Sequence, residues 1–150
     1  MKSKDAARQA DIEQIRDLKA RYARLADAKR WADVAALFTD DAVMRFYDVD
    51  GVLTRQVTAA TFAEVIGGSV GHGQPIHHLF SHEIAFTSDD EATAVWAMED
   101  RIYHDRAAHP ESPFTYLHGF GHYHERYRRE NGAWRIAGFD QTRLRMEVVR

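Results

Sequence analysis

From Ile12 the apolar positions Ile15, Leu18, Tyr22 and Leu25 recur at three- and four-residue steps, the period of one face of an α-helix. Arg16, Lys19 and Arg24 fall between them. The pattern predicts an amphipathic helix that lays one face on a core and turns its charged face to water. A second short helical pattern runs through Trp31, Val34, Leu37 and Phe38 and is ended by Thr39-Asp40-Asp41. A third, Thr61 to Ile66, opens with Thr61 and Glu64 at capping-box spacing and closes on Gly67-Gly68.

Strand patterns dominate the rest. Ala42–Tyr47 and Val52–Val57 flank Asp50-Gly51, a hairpin turn signal. Four longer candidates follow: Ile76–Thr87, Ala92–His104, Phe114–Arg129 and Ala133–Val149. Ser88-Asp89-Asp90-Glu91 separates the first two, a loop with Pro110 and Pro113 the next, and Asn131-Gly132, a strong hairpin signal, the last. With neither repeat nor linker, residues 1–150 read as a single domain. Helices first and strands after predict an α+β fold rather than a doubly wound parallel sheet. Strands this long exceed the usual five or six residues and must bend, through bulges. A strongly bent antiparallel or mixed sheet closed on one side by N-terminal helices is a cone, and a cone encloses a pocket. Its uncovered outer face calls for self-association, as a dimer or a trimer.

Composition narrows the chemistry. Zero cysteines exclude disulfides, thiol nucleophiles, zinc fingers and iron–sulfur clusters. A net charge of −3 with interspersed signs offers no basic field for nucleic acid and no polybasic anchor for a lipid surface. No apolar run is long enough to span a membrane. The opening MKSKDAARQADIEQ lacks the apolar core of a signal peptide, so the expected compartment is the cytoplasm. Neither a phosphate-binding loop nor a Gly-x-Ser-x-Gly elbow is present. What remains conspicuous is nine histidines among eight phenylalanines, six tyrosines and three tryptophans.

Four groups of side chains are candidates for chemistry. Asp27 closes the first helix, five residues after Tyr22. That is about 140° of rotation, so the two reach one cavity only if Asp27 sits at the helix end; a solvated Asp beside Lys29 and Arg30 is the plainer reading. His77 and His78 are adjacent on a strand and must point to opposite faces. His78 shares parity with Ile76, Phe80, Ile84 and Phe86, while His77 shares it with Leu79 and Ala85, so periodicity favours His78 on the apolar face without choosing the functional ring. His118, His122 and His124 share one parity, a spacing that suits a metal ion but is equally that of an exposed polar face. Asp100 is in step with Trp96, Met98 and Ile102. A carboxylate there needs a partner from another element, with Arg143 or Arg145 available.

The segments IEQIRDLKARYARLADAKRWADVAALFTDDAV, PIHHLFSHEIAFTSDDEATAVW and GHYHERYRRENGAWRI together resemble the SnoaL-like branch of the nuclear-transport-factor-2-like superfamily, from about Ile12 to Met146. The resemblance is greatest to the branch holding scytalone dehydratase and bile-acid 7α-dehydratase. It implies a cystatin-like cone and an Asp–His pair in a deep apolar cavity that works without metal or organic cofactor. The aspartate matches Asp27, the histidine matches His77 better than His78, and a tyrosine matches Tyr22. A second tyrosine falls on Tyr47, with Phe46 beside it. Met98 and Asp100 stand where scytalone dehydratase has a second histidine.

The resemblance implies a dehydratase-type lyase acting on a hydrophobic or aromatic hydroxy ketone. Asp27, His77 and Tyr22 are its expected catalytic residues, and Tyr47, Asp100, Phe46 and Trp96 its expected substrate contacts. An isomerase or cyclase using the same cavity, and a non-catalytic assembly subunit of the same fold, are the alternatives.

Overall fold

The computed structural model describes residues 3–150. Helix α1 runs over Lys4–Asp27, its start capped by the Ser3 hydroxyl, which accepts from the Ala6 amide at 3.1 Å. Ile15, Leu18, Tyr22, Leu25 and Ala26 form its buried stripe. At its C-terminus the Arg30 amide donates to the Leu25 carbonyl and the Lys29 amide to the Ala26 carbonyl, both at 2.9 Å. Lys29 adopts the left-handed conformation, φ 56°, that such a terminus requires. This turn reverses the chain directly after Asp27 and leaves the Asp27 side chain at the helix end.

Lys19, expected in solvent, is fully buried, its ammonium paired with Glu125. The second helix is also shorter than its pattern. Helix α2 spans Trp31–Ala35, and Phe38 opens strand β1, Phe38–Tyr47, instead of closing the helix. The Ile136 amide donates to the Leu37 carbonyl at 2.9 Å, and this pairing draws Phe38 and Thr39-Asp40-Asp41 into the sheet. Strand β2, Leu53–Thr58, precedes helix α3, Phe62–Val70. The capping box is not formed: the Thr61 hydroxyl accepts from the Thr58 amide at 3.1 Å instead. Nor do the paired glycines end α3. A side chain at Gly67 would meet Trp31 at 2.8 Å, so glycine there is what lets α2 and α3 pack.

Strands β3 (Gln74–Phe86), β4 (Glu91–Tyr103), β5 (Tyr116–Glu130) and β6 (Ala133–Val149) complete a six-stranded sheet in the order β2-β1-β6-β5-β4-β3. Strands β1 and β6 run parallel and the other neighbours antiparallel, so the sheet is mixed. The β5–β6 turn has Asn131 at φ 51° and Gly132 at φ 78°, the double left-handed turn that matches strand twist. Register shifts between Leu79 and His82, and between Phe120 and Gly121, bend the long strands. The sheet is curved and unclosed, and α1 packs against β3 and β6. The α+β, nuclear-transport-factor-2-like fold expected from the sequence is the fold found. No helix among the described residues is long and apolar enough to cross a membrane.

Candidate active site

Between the sheet and the helices lies a cavity of about 440 Å³. His77 lines it and is bonded to Asp27, which is not itself part of the lining. The His77 ring Nδ1 lies 2.7 Å from Asp27 Oδ1, and the same oxygen accepts the His77 backbone amide at 2.9 Å. Gln74, three residues earlier on β3, donates to the Asp27 main-chain carbonyl at 2.8 Å. The end of α1 is thus fastened to the start of β3 through both backbone and side chain. Gln74 carried no signal in the sequence, since its partner is a carbonyl oxygen 47 residues away.

Tyr22 lines the cavity beside this pair, its ring 6.5 Å from that of His77, edge to face. Burial pushes its hydroxyl well above the usual tyrosine range, with Tyr123 and the Glu125 carboxylate adding to the rise. The hydroxyl is therefore a standing donor. Tyr123, also at the cavity, is raised chiefly by burial and next by the Asp100 charge.

Asp100 and Arg143 face the same cavity. The guanidinium donates through both terminal nitrogens, at 2.6 and 2.8 Å, one to each carboxylate oxygen. Burial alone would lower the Arg143 pKa, but the hydrogen bonds and charge of Asp100 outweigh it and raise it. Arg143 is thus the partner from another element that Asp100 was expected to need.

Phe46 and Tyr47 both line the cavity although neighbours on a strand normally face opposite ways. The register of β1 against β2 shifts between them, which permits it. Trp96 is the exception among the expected contacts. It is absent from the cavity lining and belongs to the core, donating its indole N–H to the Tyr127 hydroxyl at 2.9 Å and stacking on His82 at 4.6 Å. Tyr127 in turn donates to Glu125, so Trp96 ends a buried chain that begins at Lys19. Strand parity aligned Trp96 with Asp100, but at four residues' distance along β4 it lies beyond the cavity.

His78 points away from the dyad, half-exposed, with its Nδ1 3.2 Å from Glu99 Oε1. His118 takes the other Glu99 oxygen at 2.9 Å and His124 bonds the Thr142 hydroxyl at 3.1 Å. The His118, His122 and His124 rings therefore do not converge on a common point.

The profile of the SnoaL-like domain family matches residues 7–140. A probable cyclase of Gibberella zeae is 26% identical over 142 residues, which cover 90% of this chain and 92% of the relative. A provisionally assigned scytalone dehydratase from Novosphingobium aromaticivorans superposes with a TM-score of 0.78 at 14% identity, covering 96% of this chain and 91% of its own. The hexachlorocyclohexane dehydrochlorinase LinA-type3 from Novosphingobium barchaimii does so with a TM-score of 0.74 at 16% identity, covering 97% and 94%. The family match spans nearly the whole cone, and the chain belongs to the SnoaL-like domain family.

Proposed function

We propose that the chain is a dehydratase-type lyase that acts on a hydrophobic or aromatic hydroxy ketone without a cofactor. The observation that carries this reading is the hydrogen bond by which Asp27 holds the cavity-lining His77. A carboxylate can only accept, so the ring nitrogen bound to it carries the hydrogen and Nε2 keeps its lone pair. Nε2 takes a proton from the carbon beside the substrate carbonyl, and Asp27 stabilises the imidazolium that forms. Charge gathering on the carbonyl oxygen meets the Arg143 guanidinium and the hydroxyls of Tyr22 and Tyr47. The carbon–oxygen bond at the next carbon then breaks. The imidazolium returns its proton to the departing hydroxide, water leaves and His77 is neutral again. A cavity of about 440 Å³ falls in the lower part of the range for small-molecule sites, about 300–1,000 Å³.

Names of similar proteins support elimination or cyclisation chemistry in such a cavity. The Gibberella zeae relative favours one second reading, a cyclase in which the same imidazole moves a proton without loss of water. A purely structural subunit has no need of a carboxylate-held imidazole at a cavity wall, which weighs against the assembly reading.

The test is to incubate the protein in D₂O with a panel of aromatic β-hydroxy ketones and follow the α-protons and the alkene signals by NMR. Exchange with elimination, absent in His77→Gln, is expected; exchange without elimination favours the cyclase reading. Neither reaction above the buffer rate for any member of the panel would overturn the proposal.

A further inference from the structure

Outside this cavity, the loops at its rim hold a second group of ligand-bearing side chains. His72 lies in the connection between α3 and β3, while His109 and Glu111 lie in the loop between β4 and β5. One nitrogen of each imidazole and one Glu111 carboxylate oxygen lie within 4.8 Å of one another. The two rings are stacked almost parallel, 5° apart in plane with centroids 3.7 Å apart. A ring nitrogen's lone pair lies in the plane of the ring, so stacking leaves the lone pairs unblocked but in parallel planes, and one ring must turn for both to meet a single ion.

We propose that His72, His109 and Glu111 bind a divalent transition-metal ion of the zinc class and so join the α3–β3 connection to the β4–β5 loop at the rim of the cavity. Two imidazoles and one carboxylate are a donor set suited to zinc, cobalt or nickel rather than to calcium or magnesium, which favour all-oxygen shells. The spacing fits as well. Donors about 2.0–2.2 Å from a tetrahedral ion stand roughly 3.3–3.5 Å apart, and His109 Nδ1 lies 3.5 Å from Glu111 Oε1. That distance exceeds the usual ~2.7–3.2 Å of an N–H···O hydrogen bond, so the pair is better spaced for a shared ion than for each other. His72 and Glu111 are exposed and can close the remaining gap by side-chain rotation, leaving a fourth position for water.

The backbone around the group is set without an ion. The Asp105 carboxylate accepts the Ala107 and Ala108 amides at 3.1 and 3.2 Å, the His109 amide donates to the Asp105 carbonyl at 2.8 Å, and the Ser112 amide to the His109 carbonyl at 3.1 Å. Pro110 and Pro113 restrict the loop further. On the other side, a side chain at Gly73 would meet the His104 ring at 2.8 Å, so glycine there lets the two loops close. His104 is buried, its Nδ1 has no hydrogen-bond partner, and burial holds its imidazole below the usual range. It is a neutral ring adjoining the same loop cluster.

Consequences for the cavity follow from connectivity. Val70 and Pro75, on either side of His72, both line it, as do Ile102 at the end of β4 and Leu117 at the start of β5. An ion held here would tie the two flanks of the opening together.

The experiment is a titration of the untagged, metal-stripped protein with Co²⁺, read by visible d–d absorption and isothermal calorimetry, with Zn²⁺ displacement and a thermal melt as further readouts. One equivalent is expected to bind with the bands of a low-coordinate nitrogen–oxygen site, to be displaced by Zn²⁺, and to raise the melting temperature. His72→Ala and His109→Ala should each weaken binding by more than the roughly tenfold to hundredfold that losing an outer hydrogen-bond partner costs a metal site. A His122→Ala/His124→Ala variant should bind as the parent does. Absence of Co²⁺ binding to the parent chain would overturn the proposal. So would equal binding by His72→Ala and His109→Ala, or loss of binding confined to the His122→Ala/His124→Ala variant.

Discussion

Gly119 is what allows Arg143 to reach Asp100. A side chain at residue 119 would fall on the guanidinium and lie 2.7 Å from both Asp100 Oδ1 and Met146 Sδ. The bidentate pair at the cavity therefore occupies space that only glycine on β5 leaves open. Gly119→Ala should displace Arg143, abolish any turnover that depends on it, and destabilise the fold by about 1–3 kcal/mol, the usual cost of overpacking. Gly68→Ala is the control. Nothing lies within 4 Å of a side chain there, inside α3, so that change should stabilise by up to about 1 kcal/mol. Urea denaturation of both variants checks the contrast, and equal midpoints would contradict it.

Asp27→Asn separates geometry from charge. The amide oxygen can still accept from the His77 amide and ring, so the fold should persist within about 1 kcal/mol. An amide offers no charge to an imidazolium, and its NH₂ can turn to hold the ring in the wrong tautomer. Turnover on any substrate found for the parent chain should drop by about 10²–10⁴. A variant retaining parental turnover would remove Asp27 from the chemistry.

Lys19 and Glu125 form an ion pair with both side chains fully buried. The ammonium also lies over the faces of Tyr123 and Tyr22, 3.4 and 4.0 Å from their centroids. Desolvation lowers the Lys19 pKa despite the Glu125 carboxylate beside it. Removing one partner strands a charge in the core, so Lys19→Met alone should destabilise by about 3–5 kcal/mol. Lys19→Met/Glu125→Leu removes both charges and should recover much of that loss, as buried pairs replaced by apolar groups generally do. A thermal melt of the single and double variants decides. A double variant worse than the single one would mean that the Tyr127 hydroxyl, left without Glu125, dominates.

How much of this was written in the chain differs from element to element. The β5–β6 turn was legible because Asn131-Gly132 suits a double left-handed turn and little else. The face of His77 was not. Parity set His78 with Phe80, Ile84 and Phe86, yet Leu79, Ile84 and Phe86 pack toward the core while Phe80 is exposed. The register shift between Leu79 and His82 reverses which residues face inward, and nothing in the composition of that stretch marks it. Only the resemblance favoured His77 over His78. Lys19 misled for another reason: its charge set it with Arg16 and Arg24, although it stands four residues after Ile15 and three before Tyr22, at the edge of the apolar stripe, and its partner Glu125 lies 106 residues away. Asp100 was readable as a carboxylate needing an arginine because burying it bare is costly, while the choice between Arg143 and Arg145 was not, since the two share strand parity and only the register shift between Phe120 and Gly121, facing them, separates a buried Arg143 from an exposed Arg145.

Alkaline pH should reveal the same core. Burial raises the hydroxyl pKa values of Tyr22, Tyr123 and Tyr127 above the ordinary 10.0. A raised folded value means that the native state holds its protons more tightly, so this contribution to stability is complete below about pH 10 and is lost as pH climbs toward the folded values. Once unfolded tyrosine ionises, each buried hydroxyl costs about 1.4 kcal/mol per pH unit, or about 4 kcal/mol for the three together. Lys19 acts in the opposite sense. Its lowered value makes its charged form a cost at neutral pH, relieved as pH rises toward 10.5, so stability is held up until the tyrosines take over. Urea midpoints between about pH 8 and pH 12 should stay level and then fall steeply. Phenolate absorbance should show three of the six tyrosines ionising only with cooperative unfolding. Gradual ionisation of all six in a chain that stays folded would mean that these hydroxyls are open to solvent, against the burial of Tyr22, Tyr123 and Tyr127.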